Sequence, residues 1–191
     1  AFKRETETRK VVNNMGAANN PKVAKLKSIV EADPSAHVIV FATNDYAVKT
    51  AIEGLGLNPD EYGIIDGPVR SAKRTALARK LNQDARTGEN KFRVLFCTDA
   101  ANFGMNIQGA SVVVNFDTPD TQATIEQRLA RAFRRGQTRD VHVYHIRTKS
   151  PVELSAARRL DKKRRTMRAV DRLTSADESG RAGTLLSFLA A

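Results

Sequence analysis

The chain has 191 residues, 41% of them hydrophobic and 28% charged, enough to bury one good core, which predicts one domain with an appendage and disfavours a large two-domain protein. Thirty-two basic against 21 acidic side chains leave a formal charge of +11, an excess that points to a polyanionic partner, nucleic acid first. The single cysteine, Cys97, excludes an internal disulfide and predicts an intracellular, reducing setting of unspecified compartment, while the absence of any run of about eighteen apolar residues argues against a membrane span.

Residues 1–36 read as a lead-in. The first twenty carry no pattern and are too polar for a signal peptide. The chain opens on Ala1 instead of methionine, which suggests a piece of something longer. From Pro21 to Val30 the spacing is helical and stops near Asp33-Pro34, predicting a helix leaning on a sheet edge. Residues 37–150 form the main unit. Apolar runs at 37–43, 62–66, 93–98 and 111–117 are continuous, as parallel strands covered on both faces require, and Cys97 inside the third reads as core. A fifth run, 140–146, alternates more and belongs nearer an edge. Helical patterns lie at 45–55, 71–81 and 121–134, with a polar loop at 84–91.

Alternating strands and helices predict an α/β fold, a doubly wound, mostly parallel sheet with helices on both faces. Ligands in such sheets collect beyond the carboxyl ends of the strands, where Thr43, Asp66-Gly67, Thr98-Asp99 and Asp117 stand. The same residue types also suit turns and caps. Residues 151–191 are a basic helical extension and tail: between Arg158 and Arg172 eight basic residues face only Asp161 and Asp171, a local charge of +6. Such a helix either lines a phosphate backbone or is simply solvated, and the sequence weighs these evenly.

The stretch 127–137 carries the strongest chemical signal. At about 100° per residue, Arg131 and Arg134 fall within about 40° of Gln127, with Ile125, Leu129, Ala132 and Phe133 opposite. That predicts one packing face and one reaching face, with Gly136 as the stop. Guanidinium groups on a reaching face suit phosphate oxygens, which they grip bidentately.

Taken together these stretches resemble the second RecA-like domain of superfamily 2 helicases, closest to the SWI/SNF-like branch that includes RapA-like members. Q-x-x-x-R-x-x-R-x-G-Q, met by Gln127, Arg131, Arg134, Gly136 and Gln137, resembles motif VI. The segment 97–107, with Thr98, Ala100, Gly104 and Asn106, resembles motif V, and Val38-Ile39-Val40-Phe41 resembles motif IV. Asp66-Gly67, Arg74 and Leu81-Asn82 resemble the family's "DG…R…FN" segment, with leucine for phenylalanine. The chain departs from the branch in having Asp117-Thr118-Pro119-Asp120 where a Trp-Asn-Pro is usual, Cys97 where motif V begins with serine, and Ala101-Asn102 for Gly-Gly.

The resemblance implies a RecA-like fold and an ATP-dependent DNA translocase or helicase, with ATP held between two such domains. Arg131 and Arg134 would be the catalytic arginines, Arg134 the finger; Gln127, Gly104 and Asn106 would meet nucleotide. Thr43, Gly67, Arg74 and Thr98 would contact nucleic-acid backbone without reading sequence. No G-x-x-x-x-G-K loop and no D-E-x-H or D-E-A-D run occurs, so the phosphate loop and the Mg²⁺ ligands are expected in a companion first RecA-like domain, and this chain alone is expected to be inactive. The implied partners are DNA and that companion domain, with no membrane. His142 and His145 alternate with apolar residues and read as structural, and no metal site is expected within the chain. A non-catalytic nucleic-acid-binding module and an RNA helicase of the same superfamily stay open as alternatives.

Overall fold

Five short strands set the frame: β1 (Val38–Phe41), β2 (Tyr62–Ile65), β3 (Val94–Cys97), β4 (Val112–Asn115) and β5 (His142–His145). The computed structural model describes residues 16–98, 105–119, 121–135 and 137–177, with backbone alone at 152 and 167–177. Strand order is β2-β3-β1-β4-β5 and every neighbouring pair is parallel. Val38 is in register with Val94 and Val112, and Phe41 with Cys97 and Asn115, so all the carboxyl ends share one edge. The three inner strands are wholly buried, which is why their apolar runs are continuous. All four residues of β5 are exposed, in keeping with its predicted place at an edge.

The helices are α1 (Pro21–Ala32), α2 (Asp45–Leu55), α3 (Ser71–Thr87), α4 (Gln122–Ala132) and α5 (Pro151–Asp177). Because strand side chains alternate, Val38, Val40, Phe96 and Val114 enter one core layer with Val23, Leu26 and Val30 of α1 and Val48 and Ala51 of α2. Ile39, Phe41, Leu95, Cys97 and Val113 enter the other, with Ala78 and Leu81 of α3 and Ala132 of α4. Each fully buried branched aliphatic among them contributes about 1.5–3 kcal/mol of apolar transfer. Among the described residues no helix is long and apolar enough to cross a membrane.

Four expectations need correcting. β2, read as covered on both faces, is the other edge strand, and its Tyr62 and Ile64 are only half-buried. α1 lies over the sheet face beside α2, not on an edge: its apolar stripe finds the central strands β1 and β4. α3 runs to Thr87, through part of the predicted loop at 84–91. The polar residue that suggested a break there, Asp84, is buried because its carboxylate accepts from the N–H groups of Lys91 and Phe92, each at 3.1 Å. α4 stops at Ala132, so Arg134 lies beyond the helix. Its last carbonyls are claimed by neighbours, Arg131 O by Ile107 N–H at 2.9 Å and Ala132 O by the Gln137 amide at 3.3 Å.

Asn44 caps α2 by accepting from Ala47 N–H at 2.9 Å, and Thr121 caps α4 by accepting from Thr124 N–H at 3.1 Å. α2 leaves β1 toward one face of the sheet while α4 leaves β4 toward the other. The crevice of this doubly wound sheet therefore opens above the carboxyl ends of β1 and β4.

Candidate nucleotide and nucleic-acid interface

Thr43 stands at that crevice. It is exposed, and its N–H donates to Asp117 Oδ2 at 2.7 Å, bridging the segments that leave β1 and β4. Burial pushes the Asp117 carboxyl up from its ordinary range, against the hydrogen bonds from Thr43 and the positive charges of Arg128 and Lys22. Beneath it Arg128 is fully buried: Nη1 donates to Asn115 Oδ1 at 2.8 Å and the guanidinium lies 5.2 Å from the centre of the Phe41 ring. Arg128 belongs to none of the motifs named above. A signal was present, since on the helical wheel Arg128 lies on the arc of Ile125 and Ala132, the residues that are in fact buried with it.

Beyond β2, Gly67 is exposed, and a Cβ placed on it would meet nothing within 4 Å. Arg74 reaches this loop from the first turn of α3: Nε donates to Val69 O at 2.7 Å, and Nη2 to Asp66 O at 3.1 Å and Gly67 O at 2.9 Å. It thus shapes the loop that presents Gly67. Beyond β3, Thr98 is only 6% exposed and its N–H donates to Ile65 O at 3.0 Å.

The second half of the interface is a laced pair of segments, 105–110 and 134–139. Arg131, half-buried, donates from Nη1 to Met105 O at 3.2 Å. Gln137 donates through its amide to Gln108 O at 2.8 Å and Ala110 O at 3.0 Å, and Arg139 Nη2 donates to Gly109 O at 2.6 Å. Gln108 returns a bond from its amide to Arg135 O. From below, Asn82 of α3 donates to Asn106 O at 2.9 Å and accepts from Gly109 N–H at 2.7 Å. Gln137 and Asn82, read only as motif members, are the latches of this arrangement.

On this frame Arg134 and Arg135 are exposed, as is Gln127. Asn106 is exposed and its amide donates to Gln108 Oε1 at 3.2 Å. Phe133, expected on the packing face, is 72% exposed because α4 ends before it, and it borders a groove of about 360 Å³ with Leu129, Ala130, Val141 and Val143. Gly104, Asp99 and Gly136 lie outside the described residues.

Chemically, exposed guanidinium and amide donors above a rigid loop fit the oxygens of a phosphate chain. They do not fit a divalent ion: among the described residues no group of three His, Cys, Asp or Glu side chains is placed to hold one. His142 and His145 lie on the exposed strand β5.

Residues 21–136 match the model of the helicase conserved C-terminal domain. Helicase SWR1 of Mycosarcoma maydis is 34% identical over 130 residues, 67% of this chain and 7% of that protein. An uncharacterized ATP-dependent helicase of Bacillus subtilis strain 168, YqhH, is 43% identical over 63 residues, 33% of this chain and 11% of its own length. The chain therefore spans a small part of these relatives. Among solved structures, the C-terminal part of the Fun30 ATPase domain superposes with a TM-score of 0.67 at 22% identity, covering 76% of this chain and 47% of that one, a likeness of fold.

Proposed function

The chain belongs to the helicase conserved C-terminal domain family, on the SWI/SNF-like branch of superfamily 2, and from that premise we propose that it is the arginine-supplying half of an ATP-driven DNA translocase. The observation that carries this reading is the exposed Arg134 on a segment whose neighbours are bonded on both sides to the 105–110 loop. The lacing fixes the backbone from which this exposed guanidinium reaches, which limits the reorganisation needed to meet a developing negative charge.

Bound ATP supplies the phosphoryl group whose transfer drives the cycle. The work of this chain is to bind and orient: Arg134 neutralises charge at the phosphates, and Arg131, through its bond to Met105 O, keeps the loop carrying Asn106 in place. Gln127 and Gly104 are assigned to nucleotide in this reading. Thr43 at the crevice and Gly67 beyond the edge strand β2 take the sugar-phosphate backbone, with Arg74 shaping the Gly67 loop and Thr98 closing the end of β3. None of these groups reads a base, so binding is independent of sequence. The phosphate loop and the Mg²⁺ ligands belong to a companion first RecA-like domain, and this chain alone leaves ATP intact. We place the parent protein inside the cell.

The test is ATP hydrolysis by the chain joined to its companion domain, with and without duplex DNA or RNA, for wild type and Arg134→Ala. Duplex-stimulated turnover that falls by roughly 10³-fold in the variant is the expected result. Equal turnover in both proteins removes the finger role. Binding to DNA without turnover in either favours a non-catalytic binding module, and stimulation by RNA alone favours an RNA helicase.

A further inference from the structure

The nucleic-acid contacts at the crevice leave the longest helix of the chain without a task. α5 begins at Pro151, six residues after β5 ends at His145, so it springs from the carboxyl edge that carries Thr43 and Asp117. Its root is fixed. Ser150 accepts from Glu153 N–H at 3.3 Å and Pro151 occupies the first helical position. Glu153, buried, pairs with the buried Lys22 at the start of α1 and accepts from the Thr148 hydroxyl at 2.8 Å. Lys22 in turn lies 5.8 Å from the centre of the Phe116 ring, one residue from Asp117. The root of α5 is therefore joined to the floor of the crevice.

Beyond its first turn the helix docks by a narrow apolar line. Ala156, Ala157 and Leu160 are buried, whereas Arg158, Arg159 and every residue from Asp161 to Thr166 are exposed. At about 100° per residue, Lys162 and Arg165 lie within about 40° of Arg158, while Ala156 and Leu160 lie about 160° away. These three cations lie opposite the docking line, and Arg159, Lys163 and Arg164 are exposed around it, so six cations against Asp161 cover about two turns of the helix. From Arg158 to Arg165 the helix rises about 10 Å, a length over which each strand of a duplex presents about three phosphates. At the root, Lys25, Arg147 and Lys149 rim a groove of about 430 Å³ between α1 and the segment leading into α5, which extends the positive surface toward the crevice.

We infer that α5 is a phosphate-binding arm: Arg158, Lys162 and Arg165 hold the backbone of the same duplex that Thr43 meets at the crevice and Gly67 beyond β2. This rests on the nucleic-acid reading proposed above and adds a second, purely electrostatic contact to it. Arginine and lysine on a helix neutralise phosphates without specifying bases, so the arm contributes affinity and salt dependence, not sequence preference.

The test uses this chain and a fluorescein-labelled duplex, with affinity read by anisotropy across about 50 to 200 mM salt. The triple variant Arg158→Gln, Lys162→Gln, Arg165→Gln is compared with a control, Lys80→Gln, Arg86→Gln, Lys91→Gln, which removes equal charge near the amino ends of the strands. A logarithmic salt slope shallower by about 2 to 3 in the arm variant alone, at roughly 0.9 per phosphate, is expected. Restoring charge with Arg158→Lys and Arg165→Lys beside the native Lys162 should return most of the slope, which a fold defect would not allow. Equal slopes in the arm variant and the control overturn the arm while leaving the crevice reading standing. Failure of the wild-type chain to bind duplex overturns both. Displacement of the duplex by poly-glutamate at equal charge overturns the arm in favour of an acidic protein partner.

Discussion

Arg128 Nη1 and Asn115 Oδ1 meet at 2.8 Å in the interior, tying α4 to the last residue of β4 directly under the crevice. The guanidinium is fully buried, lies against the Phe41 ring and sets its charge near Asp117, so one side chain holds the ends of β1 and β4 at once. Removing it leaves Asn115 Oδ1 buried without its donor and takes one of two nearby cations from Asp117. Arg128→Met should therefore lower the free energy of unfolding by about 3 kcal/mol, as when one partner of a buried charged network is lost. Arg128→Lys, which keeps the charge but not the fork, should cost less. Urea titration of the two variants distinguishes them; equal and small losses would show that the guanidinium is a bystander.

Two buried carboxyls give the fold opposite responses to pH. Burial pushes Asp84 up, but the bond with His37 at 2.6 Å, the Phe92 and Lys91 N–H groups and the His37 charge together bring it below the ordinary value of 3.8. Its folded pKa lies under its unfolded one, so its contribution is present above about pH 4 and is lost as pH falls through the folded value. Asp117 is the reverse. Its folded pKa is raised, so its contribution is full below about pH 4 and is lost as pH rises through the folded value. Asp84→Asn should cost about 1–3 kcal/mol at neutral pH and flatten the acid limb. Asp117→Asn keeps an acceptor for Thr43 N–H and should gain on wild type as pH rises above about 4. Unfolding followed from about pH 3 to 8 reads both slopes, and parallel curves for the three proteins would contradict the assignment.

Gly109 and Gly67 look alike as loop glycines and should behave differently. A Cβ on Gly109 would approach Asn82 Cα to 2.7 Å and Ala85 Cβ to 2.9 Å, at the point where α3 grips the 105–110 loop. Backbone cannot yield as a flexible side chain can, so Gly109→Ala should cost about 1–3 kcal/mol. Gly67 faces open space, and Gly67→Ala should change stability by no more than about 0.5 kcal/mol. If the substitution at Gly67 nonetheless weakens duplex binding severalfold, a close approach of nucleic-acid backbone is the reason.

How far the sequence could be read followed from how local each cause was. Val38 to Phe41 and Val94 to Cys97 announced buried parallel strands because burial on both faces leaves no polar position to alternate. The edge place of β5 was legible in its alternation, although all four of its residues are exposed where alternation implies one buried face. What escaped was set by distant partners. Asp84 looked like a loop residue until Lys91 and Phe92 folded back onto it. The end of α4 is fixed by Ile107 and Gln137, neither of which belongs to the helix, so no periodicity within 121–134 could locate it. Arg128 was hidden by its own charge: an arginine in a basic run reads as surface, and only its partner Asn115, thirteen residues upstream, makes burial tolerable.

Cys97 offers a probe of this core from within. It ends β3 between Phe41 and Ile65, is fully buried, and burial pushes its thiol up to about 12, with Arg128 pulling the other way. The thiolate is the reactive form, so at pH 8 roughly one molecule in 10⁴ carries it in the folded state, and that one is also shielded from reagent. Alkylation by iodoacetamide should therefore proceed only through opening of the sheet, slower than in urea by 10³-fold or more for a domain with about 5 kcal/mol of stability. Because the rate then follows the open population, a variant that loses about 3 kcal/mol, as expected for Arg128→Met, should label about 100-fold faster than wild type. Arg134→Ala, at an exposed position, should label at the wild-type rate. Mass spectrometry of the alkylated protein over time gives all three rates. Native labelling at the unfolded rate would mean that the centre of the sheet is open to solvent, and the buried network that holds Thr43 in place could not then be the frame of the interface.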